Sequence, residues 1–206
     1  PSVLLVSAQA GMNRFVWDMR YPSARKVPGD KSTGDKVTGP LAPPGAYQVR
    51  LMVDGSHQTE GFTLIKDPRI QATQEDLEAQ FNLLVKIRDK LSETHDAINE
   101  FRSVQRQVDE WTKRAGSYSS SSMVAEAADT LKAKLSAIES ELIAVDYSRA
   151  RDRLSRPSKL NARLAELTHI VAAADFAPPK QAYDVFDELA GRIDTQLESL
   201  KSVMDG

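Results

Sequence analysis

The chain has 206 residues, of which 27% are charged and 41% hydrophobic, and its formal net charge is −2. This length allows one large or two small domains, and a net charge near zero argues against a general attraction to nucleic acid or an anionic membrane. The absence of cysteine excludes disulfides and thiolate chemistry. No apolar run reaches the roughly 18 residues that a membrane-spanning helix needs. We therefore expect a globular chain with no membrane span and no nucleic-acid partner.

The composition divides the chain into two parts. Residues 1–69 hold seven of the ten glycines and seven of the ten prolines, and they carry nine Lys/Arg against six Asp/Glu. Residues 70–206 hold three glycines and three prolines, with eighteen Lys/Arg against twenty-three Asp/Glu. A change of this size is typical of a domain boundary. We predict a first domain over 1–69 and a second over 70–206.

The first part has the period of β-strands. A short apolar run covers Val3–Val6, and residues 13–19 alternate, with Phe15, Trp17 and Met19 on one side. Residues 46–53 place Tyr47, Val49, Leu51 and Val53 on one face of a strand, and Asp54-Gly55 then predicts a tight hairpin turn. The polar stretch Ser23–Leu41 is typical of a long exposed loop. We predict a small β-sandwich with Phe15 and Trp17 in its core.

The second part has the period of helices. Thr73 is a predicted N-cap, and apolar residues then recur at mostly three- and four-residue steps up to Trp111. From Val124 to Val145 they step 4, 3, 4, 3, 4, 3, which is a heptad seam that must pack along another helix. We predict helices over about 74–114, 123–147, 158–174 and 179–204. They should form an elongated antiparallel bundle, in which the second and third helices together cover the first.

The residues that carry catalytic chemistry show no catalytic pattern. His57, His95 and His169 lack metal-ligand spacing, and we expect them at the surface or at the edge of a helix seam. Asp18, Asp54 and Asp67 could serve a glycosidase, but each stands where a strand end, a turn or a corner needs a carboxylate. We find no glycine-rich phosphate loop and no nucleophile elbow. We predict no catalytic residue, no metal site and no cofactor.

One basic cluster stands out between the second and third predicted helices. It has six cations against Asp152 within fifteen residues, and we call it the arginine corner: Arg149, Arg151, Arg153, Arg156, Lys159 and Arg163. Cations near a helix C-terminus are favoured by the helix dipole, so a solvated corner is the simpler interpretation. An anionic glycan, a membrane surface or the acidic face of a partner is the alternative.

Four segments together resemble a known family. They are GMNRFVWDMRYP, GPLAPPGAYQVRLMVDG, FTLIKDPR and ATQEDLEAQFNLLVKIRDKL. They look like the C-terminal region of bacterial sortilin-like, BNR-repeat proteins, which are commonly labelled glycosyl hydrolases. The resemblance covers essentially the whole chain. It implies an Ig-like sandwich of the flagellar hook-capping type, followed by a helical tail, with a β-propeller upstream.

The resemblance also implies a function. Any activity of the family is expected in the propeller, so this chain should be a non-catalytic accessory module that supports the propeller and mediates assembly or partner binding. The alternative is a carbohydrate-binding module, with Tyr21, Tyr118 and the arginine corner as candidate contacts. The opening residues PSVLLVSAQAG have no initiator methionine or basic signal region, so we expect a longer protein. The resemblance implies a further hairpin upstream of the GMNRFVWD segment, so we expect the sandwich to lack an edge strand. The implied partners are the propeller, a glycan and a second copy joined through the helices, and the implied location is periplasmic or secreted.

Overall fold

The computed structural model describes residues 6–115, 121–147, 152 and 155–205. Two strands, β1 (Gly45–Val53) and β2 (Ser56–Leu64), are followed by four helices, α1 (Gln74–Ala115), α2 (Ser121–Leu142), α3 (Leu160–Val171) and α4 (Lys180–Asp205). Most of the predicted strand Val3–Val6, residues 116–120 with Tyr118, and Arg149, Arg151 and Arg153 lie outside the described residues.

Strands β1 and β2 form an antiparallel hairpin of nine residues each, in which Val53 is paired with Ser56 and Gly45 with Leu64. Asp54 (φ 48°) and Gly55 (φ 81°) both have the positive φ that a two-residue type I′ turn requires. The predicted hairpin turn is therefore confirmed. Tyr47, Val49, Leu51 and Val53 share one face, as their spacing indicates, and Phe62 lies on the same face because it pairs with Tyr47.

The predicted β-sandwich is wrong. A sandwich needs two facing sheets, and the residues that the structure describes form a single sheet of two strands. Residues 13–19 are not a strand, and Met19 lies in a bend with a φ of 57°; next to them, Arg20 and Leu41 form an isolated bridge. Phe15 is 52% exposed instead of buried. The alternation of apolar residues did not predict the structure of this segment, because period two cannot show whether a partner strand lies alongside.

Helix α1 begins with a reciprocal cap. The backbone N–H of Asp76 donates to Thr73 Oγ1 at 3.1 Å, and the backbone N–H of Thr73 donates to a carboxylate oxygen of Asp76 at 2.9 Å. This arrangement satisfies one of the four N–H groups that a helix start leaves unpaired, and it confirms the predicted N-cap. Two acidic residues, Glu75 and Asp76, lie in the first turn, where the helix dipole favours them.

The other helices pack along α1 in the predicted manner. Helix α3 runs antiparallel to the first half of α1, since Gln80 bonds the carbonyl of Val171 and His95 approaches Asn161. Helix α2 runs antiparallel to the second half, where Arg102 pairs with Glu139 and Lys132 with Asp109. Helix α4 lies beside α1 through the ion pair of Lys90 and Asp194. The buried core includes Ile87, Leu91, Ile98, Leu135, Leu142, Leu164 and Ile193.

The stretch Ser23–Leu41, which we predicted to be an exposed loop, packs on the helical bundle instead. Ala24 (5% exposed), Val27 (3%) and Val37 (4%) belong to the same core cluster as the helices. A short 3₁₀ helix, Gly34–Val37, lies against α3, and Lys36 pairs there with Glu166. The composition of this stretch is that of a solvated loop. Three apolar side chains and several polar contacts nevertheless pack it against the helices.

Candidate functional site

The uncovered face of the hairpin is the first candidate site. At its base, Trp17 contacts Tyr47 and Phe62 with ring centroids 5.9 and 6.2 Å away, and the rings of Tyr47 and Phe62 stack at 5.8 Å. Beyond this cluster Val49, Leu51 and Val53 are 54%, 53% and 57% exposed. We call Tyr47, Val49, Leu51, Val53 and Phe62 the hairpin face. Its inner half is covered by Trp17, and its outer half presents apolar side chains to solvent.

A cleft at the junction of the hairpin and the helices is the second candidate site. It has a volume of about 590 Å³, which is in the range of small-molecule sites. Its floor includes Leu77, Phe81 and Leu84 of α1, and its walls come from residues 36–44, residues 65–70 and the end of α3. The cleft thus combines an apolar floor with a polar rim, and we call it the junction cleft.

The rim of the junction cleft carries both signs of charge, since Asp67 and Asp175 line it together with three cations, and those cations are held by the protein. Arg20 donates from Nη1 to the carbonyl of Gly39 at 2.9 Å, and Lys66 donates from Nζ to the carbonyl of Ala72 at 2.7 Å. Lys36 pairs with Glu166. His169 also lines the cleft and is exposed. Arg20 and Lys66 carry further N–H groups that can donate to the hydroxyl or carboxylate oxygens of a ligand.

A buried polar network joins residues 25–33 to α1 and α3. His95 and Asn161 are 0% exposed and Ser32 is 5% exposed. His95 Nδ1 lies 2.5 Å from the carbonyl oxygen of Arg25, and Asn161 Nδ2 lies 3.5 Å from His95 Nε2 and 3.2 Å from Ser32 Oγ. Ser32 Oγ is 2.6 Å from a carboxylate oxygen of Asp30. We call this chain of contacts the loop–bundle network.

The partners in the loop–bundle network determine where its protons lie. A carbonyl can only accept, so His95 carries its proton on Nδ1 and donates it to Arg25, and Nε2 accepts from the Asn161 amide. The Ser32 hydroxyl donates to Asp30. Burial lowers the pKa of His95 below its ordinary value, against opposing effects of the Arg25 carbonyl, Asp30 and Asp96. His95 is therefore a neutral, structural group rather than a catalytic base in contact with solvent.

The sequence prediction placed His95 at the surface or at a seam edge, and this was wrong. One signal could have located it: the apolar series of α1 steps by seven from Leu91 to Ile98, and His95 occupies the position between them that faces the core. A polar residue at a seam position has to find a partner. That partner, Asn161, is far away in the sequence, so no local pattern could identify it.

The three carboxylates considered for catalysis serve local structure, as expected. Asp18 accepts the backbone N–H of Arg20 at 3.0 Å, and Asp54 occupies the hairpin turn. Asp67 accepts from the backbone N–H of Arg69 at 2.9 Å and pairs with its guanidinium, and this side-chain hydrogen bond lowers the pKa of Asp67. Their roles in turns explain their presence without a reaction.

The described half of the arginine corner is partly neutralised. Arg156 pairs with the carboxylate of Asp146, and Lys159 approaches Glu141 at 3.9 Å. Arg163 is exposed on α3. Binding of an anion or a partner at the arginine corner stays a prediction.

The other sequence candidates are distributed over the molecule. His57 lies in β2 and His169 at the end of α3, and within the described ranges no three His, Asp or Glu side chains are arranged to hold a metal ion. Tyr21 is 37% exposed and packs edge-on against Phe81, with ring centroids 4.8 Å apart, so it is not a free platform for a sugar. In the same described part of the chain, no helix is both long and apolar enough to cross a membrane.

Comparison with known proteins adds no further assignment to these sites. No family model, no curated protein and no solved structure matches the chain. The hairpin face and the junction cleft are therefore the two sites whose geometry bears on function.

Proposed function

We propose that this chain is a non-catalytic accessory module that binds an apolar surface of a neighbouring protein through the hairpin face. The observation that carries the proposal is the exposure of Val49, Leu51 and Val53 on one face of a two-stranded sheet. A two-stranded hairpin is at best marginally stable in water, and its apolar face is stabilised when another surface covers it.

The position of the hairpin supports the same proposal. It is held to the rest of the molecule at its base, where Tyr47 donates to the carbonyl of Pro43 at 2.7 Å and Gln74 of α1 donates to the carbonyl of Pro44 at 2.8 Å. The bundle leaves all of β2 except Leu64 exposed. The hairpin thus projects an apolar surface from a packed helical base.

The resemblance makes a β-propeller the first partner to test. Three calls stay predictions: that the chain supports an upstream propeller, that its parent is a BNR-repeat protein, and that the protein is extracytoplasmic. The proposal of an apolar protein partner depends on the hairpin face and holds without them.

The test measures binding of this chain to a separately expressed propeller portion by biolayer interferometry. We expect saturable binding that Leu51→Asp weakens by more than about tenfold, because a carboxylate in a covered apolar contact has no partner. Met52→Asp is the matched control, since Met52 is similarly exposed, at 57%, but lies on the opposite face. Equal loss in both variants contradicts a role for the hairpin face, whereas the absence of saturable binding removes the propeller as its partner.

A carbohydrate-binding module is the second candidate, and the junction cleft is the observation that favours it. Its volume of about 590 Å³ and its rim of Arg20, Lys66 and His169 fit a short acidic oligosaccharide. Calorimetry with neutral and acidic oligosaccharides tests this directly. Heat that disappears in Lys66→Met but not in Arg163→Met supports the cleft, whereas the absence of heat with every oligosaccharide removes this candidate.

A further inference from the structure

All five methionines of the chain lie on its surface. Their exposed fractions are 100% for Met12, 71% for Met123, 57% for Met52, 49% for Met19 and 39% for Met204. The buried apolar side chains that the structure describes are all leucine, isoleucine, valine, alanine or phenylalanine. The core is therefore built without any of the thioethers that the sequence supplies.

This distribution is unusual for methionine. Methionine is among the side chains that are most often fully buried, because its thioether is apolar and its flexible stem fills gaps in a core. The five methionines also lie far apart in the fold: Met12 and Met19 precede the hairpin, Met52 lies in β1, Met123 in α2 and Met204 in α4. No single uncovered patch therefore explains why all of them are exposed.

An exposed thioether reacts with two-electron oxidants such as hydrogen peroxide. The sulfur lone pair attacks one peroxide oxygen, the O–O bond breaks and a sulfur–oxygen bond forms, and proton transfer releases water. The sulfur loses two electrons and the peroxide gains them, so the product is methionine sulfoxide. Because the chain has no cysteine, its methionines are the main sites for this reaction.

Exposure also determines what oxidation does to the fold. A sulfoxide is polar, so in a core it would destroy an apolar contact and leave an oxygen without a partner. At the five exposed positions water can hydrate the new oxygen. The buried leucine, isoleucine and phenylalanine side chains, such as Leu91, Ile98 and Phe101, keep their contacts because none of them reacts.

We propose that this chain accepts oxygen from a peroxide at all five methionines while it stays folded. Each copy then consumes five equivalents of oxidant, and reduction of the sulfoxides restores it. This inference goes beyond the proposed function, because no methionine belongs to the hairpin face and Met52 lies on the opposite side of β1. Oxidation of Met19, which lines the junction cleft, adds a polar oxygen to that site.

The experiment treats the whole folded chain with hydrogen peroxide and follows its mass. We expect the mass to rise by about 16 Da per oxygen until five oxygens are bound, and peptide mapping should place one on each methionine. The helical circular dichroism should stay unchanged, and the Tm should fall by less than about 3 °C. Methionine sulfoxide reductases, added as a pair that covers both sulfoxide epimers, should remove all five oxygens.

Leu91→Met is the matched control, because it adds a sixth thioether at a position that is only 1% exposed. The exchange conserves volume, so the variant should fold. In the folded variant the introduced side chain should oxidise more than about tenfold more slowly than the five native ones, since it reacts only when the structure opens. In denaturant all six should react at similar rates.

Three results would overturn the proposal. The first is a folded wild-type chain that takes up fewer than five oxygens. The second is loss of helical circular dichroism as the oxygens are added. The third is a side chain introduced at position 91 that oxidises as fast as the native methionines, because exposure would then not control the reaction. None of these measurements involves a partner, so they are independent of binding through the hairpin face.

Discussion

The β1–β2 hairpin and the loop Ser23–Leu41 differ in how their composition relates to their exposure. The hairpin is rich in apolar and β-branched residues, and yet Val49, Leu51 and Val53 are each more than half exposed. The loop is mostly polar, and yet Val27 is 3% exposed and Ser32 and Thr33 are 5% exposed. Each region has the surface exposure that the composition of the other region would predict.

The difference teaches that burial depends on whether a complementary surface lies within reach. The loop lies next to α1 and α3, where Asn161 and His95 present polar groups that need partners, and Asp30, Ser32 and the Arg25 carbonyl satisfy them. Because buried polar groups are costly unless they are paired, the network holds the loop in place. Within the described part of the chain, the ring contacts between the hairpin and the rest of the molecule lie near its base, where Trp17 meets Tyr47 and Phe62. Three pairs of matched substitutions and one pH series test this contrast.

The largest effect is expected from a glycine pair. A Cβ on Gly39 would lie 2.7 Å from the Pro22 carbonyl oxygen and closer still to that of Tyr21, so the backbone of the loop would have to move. Gly39→Ala should lower the free energy of unfolding by more than about 3 kcal/mol. On the hairpin, Gly61→Ala meets only the Tyr47 carbonyl oxygen at 3.9 Å, and it should raise stability by about 0.5 kcal/mol. Urea denaturation measures the free energy of unfolding of both variants. A loss of less than about 1 kcal/mol in Gly39→Ala would contradict the close approach of residue 39 to the carbonyl oxygens of Tyr21 and Pro22.

The second largest effect concerns the loop–bundle network. Asn161→Ala removes an amide that bonds both Ser32 and His95, and it should cost about 2–3 kcal/mol of unfolding free energy. Arg163→Ala, an exposed position two residues later on α3, should change it by less than about 0.5 kcal/mol. Chemical denaturation followed by circular dichroism compares the two. Similar values for both variants would mean that the network contributes nothing measurable.

A valine pair compares the two regions at constant chemistry. Val27→Ala deletes two buried methyl groups in the loop and should cost about 1.5–2 kcal/mol. Val49→Ala deletes the same groups at a position that is 54% exposed, and it should cost less than about 0.5 kcal/mol in the monomer. Thermal and urea unfolding of dilute samples measure both. If Val49→Ala costs as much as Val27→Ala, the hairpin face is covered even in the isolated chain.

Acidification should produce a smaller, continuous effect. The pKa of His95 is lowered in the folded state by burial, so the unfolded chain binds the proton first as pH falls below about 6.5. Stability is therefore complete above this pH and decreases below it, by at most about 1.4 kcal/mol per pH unit. His95→Asn can still donate to the Arg25 carbonyl but does not titrate, so its stability should stay flat between pH 6.5 and 5.

The carboxylates act in a lower pH window. Burial opposes ionisation of Asp30, but hydrogen bonds from Ser32 and Thr33 outweigh it and lower its pKa, so its contribution is lost only at pH values below its ordinary pKa of about 4. Unfolding curves measured at steps between pH 7 and 5 therefore isolate His95. If the free energy of unfolding of the wild type changes with pH as little as that of His95→Asn in this range, His95 is not the group that makes stability depend on pH.

Local features of the fold were predictable in detail. The Thr73 cap, the Asp54-Gly55 turn and the face shared by Val49 and Leu51 all follow from patterns a few residues long. The four helices begin and end within a few residues of their predicted bounds, apart from α2, which ends at Leu142 instead of 147. The candidate sites were less predictable, because the junction cleft is assembled from three separate parts of the chain.

By itself, the sequence determined the backbone conformation of each segment and which side chains share a face. Those properties depend on residues one to four positions away in the sequence, so the spacing of apolar residues is enough to predict them. Only the tertiary structure decided that the hairpin face stays open, that Val27, Ser32 and Thr33 of the polar loop are buried, and that His95 meets Asn161. These outcomes depend on contacts between residues more than sixty positions apart, since Asn161 and His95 are separated by 66 residues. Such contacts form only when the whole bundle brings the residues together, so no local pattern can specify them.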